Sequence, residues 1–164
     1  MPQNQRVGEL SRGQGIKLTL ATALAQRPEL LILDEPSSGL DPASRREIGD
    51  VIREFMIDTD HATLFSTHIT TDLDDLADDL VVLVGGRIAR QGPLLDVRDD
   101  FAVARGSGPH PREGLIGVQH RGSQWSALIN TSETSAFGAD IVIDEASVDD
   151  IIIHLSTEHE RSAA

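Results

Sequence analysis

Two acidic residues and a histidine stand at the ends of apolar runs in the first half of the chain. Asp34 and Glu35 directly follow the run 30–33, and His68 follows the run 62–67. The first run is too short for an independent helix and predicts a buried strand with apolar residues on both faces. Side chains at the carboxyl ends of parallel strands lie where α/β sheets bind ligands. A carboxylate there can hold a divalent cation or polarise a water molecule.

These three residues also have a structural explanation, which stays open at this point. Asp34 and Glu35 can simply end a strand and cap the turn that follows. A lone histidine after a strand is more often structural than functional. Their types and positions therefore predict a site only in combination with other features of the sequence.

Another candidate site lies at the predicted start of a helix that ends before Pro28. It consists of Ser11, Gly13 and Gln14. Free backbone N–H groups and the positive end of the helix dipole favour an anion at such a position. Gly13 lets the backbone approach closely, and the Ser11 hydroxyl can donate to a phosphate oxygen. The alternative is that Ser11 only caps its own helix, because Gln14 stands three residues on at a capping-box spacing.

The elements that must position these residues alternate between helix and strand from residue 11 to residue 83. Asp41 and Pro42 predict the N-cap and the first position of a second helix. This alternation is typical of an α/β domain with a mainly parallel sheet. Leu73 to Leu80 predicts a short third helix. Its acidic outer face, residues 72, 74, 75, 78 and 79, is interpreted as solvated rather than as a metal site.

The rest of the chain follows a different pattern. Two glycines at 85 and 86 predict a hairpin turn, residues 105–114 predict a linker or long loop, and Ser147 predicts the cap of a final helix. A second hairpin is predicted around residues 121–123 and a further strand over 140–144. The predicted division is a domain over 1–100, a linker over 101–114 and a small α+β extension over 115–164.

The order of four short stretches is more informative than any one of them. They are LSRGQ at 10–14, LLILDEP at 30–36, SGLD at 38–41 and STH at 66–68. This series resembles the C-terminal half of an ATP-binding cassette (ABC) ATPase, in which a signature loop, a Walker B strand, a D-loop and a switch histidine follow in that order. The resemblance covers roughly residues 7–95. It implies a partial P-loop NTPase-type α/β fold with a mainly parallel sheet.

The resemblance also implies roles in Mg²⁺-dependent ATP hydrolysis by a dimer. The signature residues reach across the dimer to the γ-phosphate on the other subunit, and the D-loop residues contact the dimer partner. One strand-end carboxylate holds Mg²⁺ through water, the next is the general base that orients the attacking water, and the histidine contacts the γ-phosphate. The signature residues are Ser11, Gly13 and Gln14, and the D-loop residues are Ser38, Gly39 and Asp41. The resemblance makes Asp34 the Mg²⁺ ligand, Glu35 the general base and His68 the histidine that contacts the γ-phosphate.

One part of an ATP site has no counterpart in this sequence. A phosphate-cradling loop has the pattern G-x-x-x-x-G-K-[ST]. Gly8 and Gly13 have the right spacing, but Gln14 and Gly15 follow them, and the single lysine, Lys17, lies inside the first predicted helix. We therefore expect that the Walker A part of a cassette is absent and that the chain alone does not hydrolyse ATP with normal competence.

Composition limits the function further. The chain has 164 residues, a formal net charge of −13 and no cysteine. Negative charge argues against a nucleic-acid partner held by phosphate contacts, and the lack of cysteine excludes thiolate metal sites. No run approaches about 18 uninterrupted apolar residues, so no transmembrane segment is predicted.

The predicted function is that of an N-terminally truncated ATP-binding and ATP-hydrolysing subunit of a bacterial ABC transporter, and more specifically of an exporter. With an ABC ATPase dimer partner it would couple Mg-ATP hydrolysis to transport through a membrane permease, from the cytoplasmic side of the cell membrane. Two alternatives stay open: a non-catalytic half-cassette or remnant, and a soluble ABC ATPase acting in translation or DNA repair. The negative charge disfavours the nucleic-acid versions of the second alternative.

Overall fold

The computed structural model describes residues 6–111, 113–138 and 140–163. Within these ranges the chain forms two compact units that divide after Leu76. The functional residues predicted from the sequence all belong to the first unit. The predicted domain over residues 1–100 and the predicted extension over 115–164 rest on composition and stay predictions.

The first unit alternates helices with two parallel strands. After a short 3₁₀ helix over Val7–Glu9, its elements are α1 (Arg12–Leu24), β1 (Leu30–Asp34), α2 (Pro42–Phe55), β2 (Ala62–Ser66) and α3 (Thr70–Leu76). Strands β1 and β2 pair in parallel, with Leu30 opposite Ala62 and Asp34 opposite Ser66. The carboxyl ends of the two strands therefore lie side by side, as the predicted alternation of elements requires.

The core of the first unit lies on one face of this sheet. Leu31 of β1 packs with Leu20 of α1 and with Ile48 and Ile52 of α2. Ile32, on the opposite face of β1, is 67% exposed. The prediction of a strand buried on both faces is therefore wrong within the described residues, because α1 and α2 cover only the face that carries Leu31.

The third helix is shorter than predicted and is not wholly solvated. It ends at Leu76, and Leu80 lies instead in strand β3 (Asp79–Val84). Asp79 also belongs to that strand, because it pairs with Pro93 in an antiparallel ladder. Asp72 is only 8% exposed, so its placement on a solvated acidic face is wrong. Its carboxylate accepts a hydrogen bond from the buried hydroxyl of Ser37, a partner that the helical pattern does not reveal.

The second unit consists of antiparallel strands and helices. Strand β3 pairs with β4 (Arg87–Pro93) through the predicted glycine turn. Helix α4 (Leu94–Asp99), strands β5 (Phe101–Ser107), β6 (Ile116–Arg121) and β7 (Gln124–Asn130), a 3₁₀ helix (Thr131–Ala136), β8 (Val142–Glu145) and helix α5 (Val148–Ala163) follow. One four-stranded sheet has the order β6-β7-β5-β8. The second hairpin is confirmed, and so is the cap of α5, where the Asp150 amide donates to Ser147 Oγ at 3.1 Å.

The region predicted as a linker begins with a core strand. Strand β5 occupies the first seven residues of 101–114 and pairs with β7 on one side and β8 on the other. Val103 and Ala104 have no exposed surface. The linker prediction is wrong for these residues because Arg105, Gly106 and Ser107 were interpreted by their composition, whereas ladder pairing between two neighbouring strands determines their conformation.

Candidate functional site

The candidate site is built at the carboxyl ends of β1 and β2. Parallel pairing puts Asp34 opposite Ser66, and the Ser66 hydroxyl donates a hydrogen bond of 2.6 Å to Asp34 Oδ1. The Glu35 amide donates to the Ser66 carbonyl at 3.2 Å and to Ser66 Oγ at 3.1 Å. Ser66 therefore binds both predicted acidic residues: it contacts the side chain of Asp34 and the backbone amide of Glu35.

Glu35 and His68 are in direct contact. Glu35 Oε2 lies 2.7 Å from His68 Nδ1, which donates when the proton is on that nitrogen. Glu35 has a φ of +48°, a backbone conformation that costs free energy for a residue with a Cβ atom. The Glu35 side chain is 36% exposed and that of His68 is 68% exposed. A water molecule can reach a carboxylate held in this way, and the carboxylate can accept a proton from it.

The segment after Glu35 turns tightly and then starts α2. The Ser38 amide donates to the Glu35 carbonyl at 3.2 Å, and the Leu40 amide donates to the Ser37 carbonyl at 3.2 Å. Gly39 has a φ of +69°, and a Cβ atom there would lie 3.0 Å from Cζ of Arg12. The backbone conformation therefore favours glycine, and a Cβ atom would also require the guanidinium group to shift slightly.

Asp41 caps α2, as predicted from Asp41-Pro42. Its Oδ1 accepts hydrogen bonds from the amides of Ala43 at 3.1 Å and Ser44 at 3.0 Å. Hydrogen bonding from the Ser44 side chain, and then from the Ser44 amide, lowers the pKa of Asp41 below its ordinary value of 3.8. The charged form is the one that the helix start binds most strongly.

The predicted anion site at the start of α1 is a closed capping box. The Gln14 amide donates to Ser11 Oγ at 3.2 Å, and the Ser11 amide donates to Gln14 Oε1 at 2.9 Å. A Cβ atom on Gly13 would lie 3.4 Å from Ser44 Oγ and 3.6 Å from Leu40 Cδ2. The helix start thus packs against the turn that carries Gly39 and the cap of α2. In this conformation both side chains of the box bind their own helix, as the structural alternative for Ser11 required.

The structure thus forms two groups of predicted residues. One consists of Asp34, Glu35 and His68; the other consists of Ser11, Gly13 and Gln14 with the turn that carries Ser38, Gly39 and Asp41. Sequence reasoning missed Ser66, Ser37 and Asp72 as partners of these groups. The register of the two parallel strands would have revealed Ser66, since it pairs with Asp34.

The donor set around Asp34 is compatible with Mg²⁺. The described residues contain no group of three or more histidine, cysteine or acidic side chains able to hold a metal ion. Asp34 Oδ1 accepts from a hydroxyl, which leaves carboxylate oxygen available at an exposed strand end. One carboxylate and water are hard oxygen ligands of the type that Mg²⁺ prefers, so a contact through water fits this site. Among the described helices, none is long and apolar enough to cross a membrane.

Comparison with known proteins relates the chain to ATP-binding proteins of transporters. It is 43% identical over 96 residues to the Nod factor export ATP-binding protein I of Neorhizobium galegae, which covers 58% of this chain and 27% of that protein. It is 34% identical over 161 residues to a fluoroquinolones export ATP-binding protein of Mycobacterium tuberculosis, covering 96% and 48%. It is 40% identical over 113 residues to the molybdenum import ATP-binding protein ModC of the same species, covering 66% and 30%.

Two further comparisons concern the fold. Residues 3–73 match a family model described as "AAA domain, putative AbiEii toxin, Type IV TA system". A solved dimer of an ATP-binding cassette in a post-hydrolysis state, bound to ADP and Pi, covers 56% of this chain and 39% of its own, with a TM-score of 0.51 and 23% identity. That similarity extends to the fold alone.

These comparisons define the fold of the protein as the α/β P-loop NTPase fold of ATP-binding cassettes. More specifically, its curated relatives are ABC transporter ATP-binding proteins, and the chain corresponds to a partial cassette. It spans between 27% and 48% of the length of the three relatives named above. The resemblance drawn from the four sequence stretches is confirmed at this level.

Proposed function

We propose that this chain forms part of the ATP-hydrolysing subunit of an ABC transporter and supplies the carboxylates and histidine of its hydrolytic site. The observation that carries this proposal is the contact of 2.7 Å between Glu35 Oε2 and His68 Nδ1 beside Asp34. Glu35 is the general base for the attacking water, and His68 contacts the γ-phosphate and restrains the Glu35 carboxylate. Asp34 holds Mg²⁺ through water, and the metal, when bound, neutralises phosphate charge.

The remaining predicted residues act between subunits in this proposal. Ser11, Gly13 and Gln14 bind the nucleotide of the dimer partner. Because Ser11 and Gln14 bind each other in the structure, contact with a phosphate requires that the capping box open or share its donors. Ser38, Gly39 and Asp41 contact the partner through the turn that Arg12 covers. The sequence contains no G-x-x-x-x-G-K-[ST] pattern, so we infer that hydrolysis needs further polypeptide that carries this loop.

We also propose that the subunit binds a membrane permease and lies at the cytoplasmic face of the cell membrane. Export is the direction we favour, because the relative that covers 96% of this chain is an export ATP-binding protein. The molybdenum import relative covers a smaller share of the chain, 66%. Transport assays with the assembled complex in inverted and right-side-out vesicles distinguish the two directions.

The proposed general base is tested in the complex purified with this chain from its host. Replacing Glu35 by Gln should lower the Mg²⁺-dependent ATPase rate by about 10²–10⁴-fold, because the amide cannot accept the proton of the attacking water. Glu54→Gln is the matched control, since this glutamate is exposed on α2.

The same comparison tests the non-catalytic alternative. If the complex with Glu35→Gln hydrolyses ATP as fast as the complex with Glu54→Gln, Glu35 is not the base. The chain would then contribute binding surfaces to a site whose catalytic groups are on another polypeptide.

A further inference from the structure

A buried hydrogen bond joins the two loops of the first unit that carry predicted functional residues. Ser37 is 4% exposed and Asp72 is 8% exposed. The Ser37 hydroxyl donates to Asp72 Oδ2 across 35 positions of sequence. Buried carboxylates are rare unless they are paired or hydrogen-bonded, so this contact needs an explanation.

On one side, the bond is anchored in the tight turn that follows Glu35. Ser37 is the residue whose carbonyl accepts from the Leu40 amide at 3.2 Å, and the Ser38 amide donates to the Glu35 carbonyl at 3.2 Å. The backbone of Ser37 therefore forms part of the turn that presents Ser38, Gly39 and Asp41. Its side chain points away from that turn to α3.

On the other side, the bond is anchored just after His68. The Asp72 amide donates to the Ile69 carbonyl at 3.0 Å, and the Ile69 amide donates to Thr67 Oγ1 at 2.9 Å. Two consecutive local hydrogen bonds thus connect the Asp72 backbone to the residues on both sides of His68. A change in the position of Asp72 would be transmitted over a short, hydrogen-bonded segment.

The Asp72 carboxylate lines a cavity together with side chains of both charges. Ser37 and Asp72 line one cavity of about 470 Å³ together with Arg45, Arg46 and Arg53. Arg53 is paired with Asp50, whereas Arg45 has a buried Nε without a hydrogen-bond partner. The Ser37 hydroxyl satisfies one oxygen of the buried Asp72 carboxylate and fixes its orientation.

We propose that Asp72 is a positioning residue that couples the 38–41 turn to His68 through its buried hydrogen bond with Ser37. This inference rests on the proposed function, because it assigns both ends of the bond to one hydrolytic site. Movement of the turn at the dimer partner then changes the position of His68. In the same way, movement of His68 changes the position of the turn. Asp72 touches neither nucleotide nor water in this proposal; it acts only through Ser37 and the 67–72 segment.

The coupling itself is tested in the full chain by NMR, without nucleotide. Asp72→Ala should raise the exchange rate of the Leu40 amide about tenfold, because the turn loses its tether. Ser37→Ala should raise the exchange rate of the Asp72 amide by about the same factor and move the ring resonances of His68. Ser37→Thr and Asp72→Asn keep a donor and an acceptor, so both should resemble the wild type.

The matched control is Asp75→Ala, which removes an exposed carboxylate from the same helix. It should change neither the Leu40 amide nor the His68 ring. The proposal is overturned if each variant perturbs only its own loop, or if Asp75→Ala has the same effect as Asp72→Ala. Ser37→Ala and Asp72→Ala test the bond from opposite ends. If one of them does not fold, the other still gives the result.

The consequence for hydrolysis is tested in the assembled complex. Ser37→Ala and Asp72→Ala should each lower kcat about tenfold with an unchanged KM for Mg-ATP, because the catalytic groups are displaced while nucleotide binding is kept. Ser37→Thr should restore kcat. If the wild-type complex does not hydrolyse ATP, the proposed function fails, while the exchange measurements still decide whether the two loops are coupled.

Discussion

The two units bury their apolar side chains to different extents. In the second unit, the central strands β5 and β7 contribute Val103, Leu128 and Ile129, none of which has exposed surface. In the first unit, Ile32 and Leu64 lie opposite each other on β1 and β2 and are 67% and 61% exposed. The second unit thus has a core on which its stability depends, whereas the first has a sheet covered on one face.

The polar residues with predicted roles, in contrast, all lie in the first unit. They lie at strand ends, turns and helix starts of that unit. The Glu35 backbone adopts a strained conformation there, and Asp72 is buried. Strained or buried polar residues cost stability, and Glu35 and Asp72 are two such residues for which we propose a role.

Core truncation should show the largest difference between the units. Leu128→Ala should lower the free energy of unfolding by about 2–5 kcal/mol, because it leaves a cavity among fully buried side chains. Ile32→Ala should change it by less than about 0.5 kcal/mol, since most of that side chain is already in water. Urea unfolding followed by circular dichroism measures both. Similar losses in the two variants would contradict the difference in burial described here.

Two glycines of the second unit separate backbone strain from steric fit. Gly117 and Gly122 have nearly equal φ values of +60° and +64°. A Cβ atom on Gly117 would lie 1.8 Å from the His154 carbonyl oxygen, whereas a Cβ atom on Gly122 would meet nothing within 4 Å. Gly117→Ala should destabilise the unit by about 3 kcal/mol and Gly122→Ala by about 1 kcal/mol.

Trp125 is the single tryptophan and lies in β7, so its fluorescence during urea unfolding measures this pair of variants. Equal destabilisation by the two alanines would mean that α5 does not pack closely on β6 at Gly117. The same probe lies within the second unit, in the strand that pairs with β6.

A smaller effect is expected at the cap of α2 in the first unit. Asp41→Ala should lower the free energy of unfolding by less than the core truncation does, because two amides of the first helical turn lose their acceptor. Asp41→Asn should cost less, since asparagine is an equally good cap. Amide exchange in α2 measures both variants. A loss of the same size in Asp41→Asn would indicate that the charge, and not the cap, is what matters.

The pH dependence of the same residue gives the smallest and most specific effect. Hydrogen bonds from Ser44 lower the pKa of Asp41 in the folded state below 3.8. The stabilisation is therefore present above the unfolded value and is lost as the pH falls through the folded value. The stability difference between wild type and Asp41→Asn should shrink as the pH falls below about 4. A difference that stays constant over this range would contradict the assignment.

Local signals in the sequence predicted the parts of the fold that depend on local interactions. The Ser11 and Gln14 spacing predicted a capping box, and Asp41-Pro42 predicted the start of α2; both are confirmed. The parallel pairing of the strands that precede Glu35 and His68 followed from the alternation of elements. Strand β5 was missed because its final residues look like a loop in composition, and only its two neighbouring strands make it a strand.

By itself, the sequence predicted which residues carry chemistry and determined in what order they occur. Caps, turns and short apolar runs act over a few residues, so their effect is encoded locally. Only the tertiary structure decided that Ser66 binds both Asp34 and Glu35, that Glu35 contacts His68, and that Asp72 is buried against Ser37. These contacts join residues more than 30 positions apart, and parallel register together with helix packing determines such distances.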